Sequence, residues 1–181
     1  MPPPSKKIAW YKKGKLVEVH DKTQKNYRYS LSMPYGDFSD QPEFQPELSP
    51  RTMLRMGVFE GKYLNDARQE FPSEWYTDAR LTTTGKPDLQ LNCFGIKSRQ
   101  PLAEWRRKGW IYGSDPRGWF QWYCRFFIGR RDPQVDATQI GRWKSFKRHK
   151  GAIQKNCAPK DYECRPRQRQ ALLQWAYNPF F

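Results

Sequence analysis

Bulky apolar residues recur so densely between Pro116 and Ile128 that they cover most of the circumference of a helix. A helix that is apolar nearly all round is a buried one, so this stretch predicts the centre of a hydrophobic core. The following stretch, from Pro133 to about Lys150, has Ile140, Trp143 and Phe146 on one face. That spacing predicts a second helix, which packs through this face.

Asp115 and Asp132 each precede a proline at the start of these stretches, and Ser49 precedes one as well. Such a residue at the N-cap accepts from free N–H groups of the first turn, and proline at the first helical position loses no hydrogen bond. The sequence therefore predicts that helices begin at these three places. Gly57 is expected to end the helix that begins after Ser49.

Weaker patterns predict further short helices. Residues 58–70 are typical of a helix or of a turn followed by a helix, and another short helix after Pro72 carries Trp75 and Tyr76. Residues 100–108 are expected to form a helix that Gly109 ends. The last helix begins near Arg165 and turns Ala171, Leu172 and Trp175 inward.

Alternating residues near the N-terminus predict a small β-meander. Stretches at 8–11 and 16–20 flank a turn made of Lys12, Lys13, Gly14 and Lys15, in which glycine is available for a positive φ. Residues 26–32 alternate well enough for a third strand. The lysine-rich turn is interpreted either as a nucleic-acid contact or as protection of an edge strand against aggregation.

The predicted fold class is mainly α (α+β), with a compact helical core around the aromatic helix and an N-terminal basic β-meander arm. The arm covers residues 1–32, an acidic proline-rich strap covers 33–48, and the helical core covers 49–181. The first five residues, MPPPS, are typical of a polyproline-prone tail. Phe38, Phe44 and Leu48 are spaced along the strap, so we expect them to lie on the core.

Composition narrows the class of function. The 181 residues include 33 Lys+Arg and 18 Asp+Glu, which give a net charge of +15 and a pI near 9.8. Such a field is expected to attract nucleic acid or an anionic surface. An aromatic share of 16% favours a folded protein over a disordered tail. Because the sequence shows neither a long apolar run nor a secretory signal, we expect no membrane partner, no secretion, and an intracellular location (cytoplasm, nucleoid or organelle) or a virion.

Four cysteines in a chain without a secretory signal favour reduced thiols over disulfides: Cys93, Cys124, Cys157 and Cys164. The last two, with His149, are conceivable zinc ligands, but no close Cys-x-x-Cys pair is present, so no metal site and no cofactor are predicted. Four carboxylates could hold Mg²⁺, although solvated side chains or partners of internal arginines are the favoured interpretation: Glu60, Asp66, Glu70 and Glu74.

Positive charge is concentrated towards the two ends of the chain. Residues 1–30 carry a net charge of +6, residues 31–104 carry −3, and residues 105–169 carry +12. Like charges one helical turn apart destabilise a helix, so the second helix needs an external counter-charge, for which phosphate is suited. The predicted contacts are Arg130, Arg131, Arg142, Lys144, Lys147, Arg148, His149 and Lys150.

Three arginines crowd the start of the last helix, where the helix dipole disfavours cations: Arg165, Arg167 and Arg169. An anion bound by backbone N–H groups and guanidinium groups would explain them. Pairing with Asp161 and Glu163 is the alternative.

Arg117, Gln121 and Arg125 form a narrow polar stripe along the aromatic helix, at positions i, i+4 and i+8. A buried guanidinium is costly unless it is paired. Either carboxylates from the acidic middle segment reach the stripe, which is the favoured interpretation, or the stripe lines a cleft. The aromatic walls of such a cleft would suit a nucleotide or a splayed-out base.

Motifs of catalysis are absent from the sequence, which contains no P-loop, GxGxxG, HExxH or GxSxG pattern. His149 lies among cations that disfavour its protonation, which is compatible with a general base and equally with a surface residue without a catalytic role. The sequence therefore leans against an enzyme.

Three segments, GVFEGKYLNDARQEFPSEW, DPRGWFQWYCRFFIGRR and RPRQRQALLQWAY, resemble those of an uncharacterised family of small basic proteins rich in Trp and Arg from bacteria, phages and some eukaryotes. The resemblance covers about residues 54–177 and leaves the N-terminal arm outside. The family has no established activity, so the resemblance implies no functional residue.

The leading prediction is a protein that binds nucleic acid, DNA or RNA, through phosphate contacts with little or no sequence specificity. Lys12, Lys13 and Lys15 are expected to provide a second contact. One alternative is an enzyme acting on nucleic acid or a nucleotide, which requires a pocket with a carboxylate within hydrogen-bond reach of the polar stripe. The other is a structural subunit of a nucleoprotein particle or virion, with protein partners assembled through the N-terminal arm.

Overall fold

The computed structural model describes residues 6–181, so the predicted tail at residues 1–5 lies outside the described residues. A 3-10 helix at Ile8–Trp10 precedes two strands, β1 (Leu16–Val19) and β2 (Tyr27–Ser30). The α-helices are α1 (Pro50–Met56), α2 (Glu74–Thr77), α3 (Leu102–Arg107), α4 (Trp119–Ile128), α5 (Pro133–Phe146), α6 (Arg148–Asn156) and α7 (Pro166–Gln174). Further 3-10 helices span Phe59–Gly61 and Leu89–Leu91. The fold is mainly α with a small antiparallel sheet, as predicted.

The N-terminal segment forms a hairpin with a different turn from the predicted one. β1 and β2 pair antiparallel with Val17 opposite Tyr29, so the turn lies between residues 20 and 26. Asp21 closes it by accepting from the backbone N–H groups of Thr23 and Gln24. The strand predicted at 8–11 is wrong, because the 3-10 turn there buries Tyr11, whose hydroxyl donates to the Glu70 carbonyl at 2.7 Å.

One face of this hairpin belongs to the main hydrophobic core. Val17 and Val19 are buried within it, and the Tyr29 hydroxyl donates to Glu70 Oε1 at 2.8 Å. After β2, the N–H of Ser32 donates to the Gly129 carbonyl at 2.8 Å. Gly129 has φ 122°, and a Cβ there would lie 2.1 Å from the Met33 carbonyl oxygen, so this contact requires glycine.

The aromatic helix forms the centre of the core, as predicted. Trp122, Tyr123 and Phe126 in α4 have no exposed surface. Phe44 of the strap is also buried and packs on Trp122 and Trp143, with ring centroids 5.6 and 5.0 Å away. The strap has no regular secondary structure, and the prediction that its aromatic residues cover the core is confirmed.

The start of α1 follows the predicted capping pattern, whereas the start of α4 does not. Ser49 Oγ accepts from the Thr52 N–H at 3.2 Å, and Gly57 is the C-cap of α1. By contrast, α4 begins after Gly118, three positions later than Pro116. Asp115 is fully buried and its carboxylate binds arginines instead of capping the helix.

Two helix predictions are wrong in extent. Residues 58–70 contain only the 3-10 turn, because Glu60 has φ 55° and its N–H donates to the Asn92 side chain at 2.7 Å. The helix predicted to run from Pro133 to Lys150 breaks at Lys147, which ends α5 and precedes α6. The change of direction buries Ile153 and packs α6 against α7.

In residues 6–181, no helix combines the length and apolar character needed to cross a membrane.

Candidate functional site

Arg125 lies at the centre of a buried ion cluster. Its guanidinium has no exposed surface, and it donates to Glu70 Oε1 at 2.5 Å and to Asp115 Oδ1 at 3.0 Å. Arg130 donates to both oxygens of Asp115, at 2.8 and 2.6 Å. Burial is the largest single influence and lowers the pKa of Arg125, but Glu70, Tyr29 and Asp115 together raise this pKa above its usual value.

Arg117 is paired in a similar way at the edge of the core. Its two terminal nitrogens donate to the two oxygens of Asp66 at 2.7 and 2.9 Å, and Asp21 lies 3.3 Å away. Gln121 Oε1 accepts from the Arg117 backbone N–H at 2.9 Å. Both arginines of the polar stripe therefore bind carboxylates, and those of Glu70 and Asp66 come from the acidic middle segment, as the favoured interpretation expected.

The carboxylates considered for Mg²⁺ mainly serve these pairings. Glu60 lies 3.2 Å from the Arg99 guanidinium, and Glu74 accepts from the Ile8 N–H at 3.4 Å. Within residues 6–181, no group of three or more His, Cys, Asp and Glu side chains is arranged to hold a metal ion.

Several residues predicted to contact nucleic acid are also paired with carboxylates. Besides Arg130, Arg131 donates to Asp40 at 2.7 Å and lies over the Phe126 ring, 3.5 Å from its centroid. Lys150 lies 3.3 Å from Glu47. These three cations have their counter-charge inside the molecule.

Arg169 has a different environment from Arg165 and Arg167, the two arginines that precede it. Its guanidinium is fully buried and donates to the backbone carbonyls of Cys164, Pro179 and Asp161 at 2.8, 2.6 and 2.9 Å. Arg165 and Arg167 are exposed. The predicted convergence of three guanidinium groups on one anion is therefore wrong, because Arg169 stabilises the chain on either side of α7.

The prediction of reduced thiols is wrong for one cysteine pair. Cys157 and Cys164 form a disulfide that closes the loop between α6 and α7. This loop brings their Cα atoms to 5.9 Å, which is within disulfide range, although the seven-residue spacing does not indicate a pair in the sequence. Cys93 and Cys124 are free thiols.

Other predicted cations remain exposed without a carboxylate partner among the residues that the structure describes. We call the following group the basic surface: Lys144, Lys147, Arg148, Arg165 and Arg167. Its members lie in α5, at the junction of α5 and α6, and at the starts of α6 and α7, and α6 packs on α7. Lys12, Lys13 and Lys15 are exposed as well, and they lie between the N-terminal 3-10 helix and β1.

A cavity of about 420 Å³ opens beside the basic surface; we call it the aromatic cavity. Its aromatic walls are Trp105, Trp110, Phe146, His149 and Trp175, and its cationic walls are Lys97, Arg99, Lys108 and Arg167. Of the predicted contacts, His149 and Arg167 line this cavity. Among the others, the sequence left ligand contact open for Lys108, with the helix dipole as the alternative explanation of its charge, and it gave no site role to Lys97, Arg99 or Trp110.

Arg142 positions the exposed ring of the aromatic cavity. Its Nη1 donates to the Trp110 carbonyl at 2.8 Å, which fixes the backbone at Trp110. Trp110 itself is 44% exposed. Lys108 Nζ lies 5.0 Å from the centroid of the Trp110 ring. Arg142 therefore supports the cavity from α5. The sequence signal for Trp110 is weak, since it lies in a stretch without helical periodicity.

A stack of rings connects the cavity to the core. Trp175 packs between Trp119 and Phe146, with centroids 4.6 Å away on both sides, and Phe146 contacts the His149 ring at 4.5 Å. Burial, followed by the charge of Arg148, lowers the pKa of His149 below its usual value. At neutral pH the cavity therefore presents an uncharged imidazole beside aromatic rings.

A second cavity of about 460 Å³ contains the Arg117 pair. Phe59, Tyr63 and Asp66 line it together with Arg117. It shares Arg99, Gln100 and Trp105 with the aromatic cavity, so the segment 99–105 separates the two. Gly118 permits this arrangement, because a Cβ there would lie 2.9 Å from the Trp105 ring.

The comparisons with known proteins supply no further assignment: no protein-family model, no curated protein and no solved structure matches this chain.

Proposed function

We propose that this protein binds nucleic acid through its phosphates, with little or no dependence on base sequence. The observation that supports this function is the basic surface, whose cations are exposed and have no carboxylate partner within residues 6–181. Elsewhere in the molecule, the buried arginines Arg117, Arg125 and Arg130 pair with carboxylates, and buried Arg169 donates to backbone carbonyls. A polyanion would supply the missing counter-charge, and a phosphate backbone does so at any sequence.

The local arrangement of the basic surface supports the same proposal. Lys147 and Arg148 lie at the junction of α5 and α6, and Arg148 is in the first turn of α6, where the helix dipole disfavours a cation. Bound phosphate would relieve both the repulsion between these side chains and the unfavourable dipole interaction.

Fluorescence anisotropy with a labelled duplex, measured across a salt series, tests this function. The wild-type affinity is expected to fall steeply as salt rises. Reversing Lys144, Lys147 and Arg148 to glutamate should reduce the slope of log K against log[salt] by about 2 to 3, since each lost phosphate contact contributes about 0.9. Reversal of three exposed cations outside the basic surface, Arg28, Arg55 and Lys86, provides the charge-matched control.

The control variant should retain most of the slope. Failure of both heparin and duplex DNA to bind the wild-type protein at low ionic strength would overturn the proposal. An equal loss in the two triple variants would assign binding to net charge and reject a specific surface.

An enzyme acting on nucleic acid or a nucleotide is a second candidate, and one observation favours it. The second cavity contains a carboxylate, Asp66, within hydrogen-bond distance of Arg117. However, hydrogen bonds from Arg117 lower the pKa of Asp66, which makes this carboxylate a weak base. This candidate would be established if the protein converts RNA, DNA or nucleoside triphosphates to products and Asp66→Asn abolishes that activity.

A further inference from the structure

We infer that the aromatic cavity binds an unpaired base, and that the preferred ligand is therefore single-stranded nucleic acid. This inference rests on the proposed function and adds to it the class of strand and the site that selects it. Trp110 provides the stacking ring, and Lys97 and Arg167 provide contacts to the adjoining phosphates.

The size and the walls of the cavity suit a base. Its volume of about 420 Å³ lies in the range of small-molecule sites, which is about 300–1,000 Å³. Trp110 is 44% exposed, although a tryptophan is normally among the most buried side chains. Stacking of a planar base would cover this ring.

The charge of the cavity favours a phosphate-bearing ligand over a neutral one. No Asp or Glu is found among the described residues that line it. Lys97 and Arg167 are exposed and have no carboxylate partner among the described residues, whereas Lys108 pairs with Glu104 at 4.0 Å and donates to Gln100 at 3.0 Å. The Lys97 ammonium and the Arg167 guanidinium are therefore available to a polyanion.

The surrounding structure keeps Trp110 in place for stacking. Arg142 donates to the Trp110 carbonyl, which fixes the backbone that carries the ring, and Lys108 Nζ lies 5.0 Å from the ring centroid. Phe146 and Trp175 are supported from behind by Trp119, which belongs to the buried helix α4. A platform held in this way loses little entropy when a base binds.

The concave shape of the aromatic cavity favours single strands over duplexes as ligands. The bases of a duplex are stacked on each other and cannot enter a cavity without unpairing, whereas those of a single strand can be splayed onto aromatic side chains. Every base has a flat face, so stacking also agrees with weak sequence preference. Duplex phosphates would still contact the basic surface.

The test compares four ligands of equal length, with the full chain and at one salt concentration: single-stranded DNA, single-stranded RNA, duplex DNA and an abasic phosphodiester strand. The wild-type protein is expected to bind both single strands more tightly than the abasic strand. Trp110→Leu should weaken binding of single strands about 5- to 150-fold, because stacking contributes about 1–3 kcal/mol per base. Its affinity for the duplex should stay unchanged.

Matched variants separate stacking from other effects. Tyr162→Leu removes another exposed aromatic ring outside the cavity and should leave all affinities unchanged. Trp110→Phe keeps a stacking ring and should recover most of the affinity. A stronger effect on RNA than on DNA would support additional contacts to the 2′-hydroxyl, and equal effects would support stacking alone.

Two outcomes separate this inference from the proposed function. If the wild-type protein binds the abasic strand as tightly as the natural ones, or if Trp110→Leu weakens the duplex equally, base stacking is rejected while phosphate binding stands. If it binds none of the four ligands, the proposed function itself is rejected.

Discussion

Two regions of this protein combine arginine with aromatic rings, and they differ in where the counter-charge comes from. In the buried ion cluster, Arg125 pairs with Glu70 and shares Asp115 with Arg130, and Arg125 also lies over the Tyr29 ring. In the aromatic cavity, Arg167 and the nearby lysines have rings beside them and no carboxylate within the described walls. In the first region both guanidinium groups have carboxylate partners, whereas in the second Arg99 and Lys108 are paired but Lys97 and Arg167 have no carboxylate partner among the described residues.

The difference shows that arginine beside tryptophan does not by itself indicate a ligand site. The sequence left an anion cleft open as the less favoured interpretation of Arg125, and the fold pairs this residue internally because Glu70 lies against α4. What distinguishes a binding surface is the lack of a carboxylate in reach. Three substitutions test this comparison.

Removal of the central guanidinium should have the largest effect. Arg125→Met leaves Glu70 and Asp115 buried with less compensation, so the free energy of unfolding should fall by about 3–5 kcal/mol. Arg148→Met removes an exposed cation of the basic surface and should change stability by about 0.5 kcal/mol or less. Urea denaturation of both variants measures the two values, and equal losses would contradict the distinction between the regions.

Neutralising Glu60, the carboxylate partner of Arg99, should lower stability by an intermediate amount and strengthen the binding of nucleic acid. Glu60 is buried and pairs with Arg99, which lines both cavities. Glu60→Gln should cost about 1–3 kcal/mol of stability. The freed guanidinium should strengthen oligonucleotide binding and steepen the salt slope by about 1.

Glu163→Gln, at an exposed position, is the matched control for the same change of net charge. Weaker binding by the Glu60 variant, at a temperature where it is fully folded, would show that Arg99 does not contact phosphate.

The smallest effect is expected at the partly exposed Arg117 pair. Hydrogen bonds from Arg117, opposed by partial burial, lower the pKa of Asp66. The folded state therefore gains stability from ionised Asp66 well above about pH 4 and loses it as the pH falls through the folded-state pKa. Asp66→Asn should reduce stability by about 1 kcal/mol or less at pH 7.

Thermal melts of the wild-type protein and of Asp66→Asn at pH 7 and at pH 3 measure this dependence. The difference between their melting temperatures should shrink at the lower pH. A difference that grows on acidification would contradict the ionised pair.

Local patterns predicted the elements whose causes are local. The Ser49 cap and the Gly57 terminus of α1 depend on contacts within a few residues, and both were predicted correctly. The burial of α4 followed from the density of its aromatic residues. Asp115 has the same local signal as Ser49, yet a contact with Arg125 and Arg130 decided its role.

Long-range contacts explain the failures. The break at Lys147 depends on the packing of α6 against α7, and the lack of a helix at 58–70 depends on Asn92. The disulfide between Cys157 and Cys164 depends on the loop that closes between these helices. At the candidate site, the charge of Arg167 and the position of His149 among cations were visible in sequence, whereas the role of Trp110 depends on Arg142, which is 32 positions away.

The sequence by itself determined that this protein has an aromatic core and an excess of positive charge, since both follow from residue type and spacing. The tertiary structure alone decided which charges are neutralised. Coulombic pairing acts over a few ångströms, and residues as far apart in the chain as Glu70 and Arg125 reach that distance only in the folded protein.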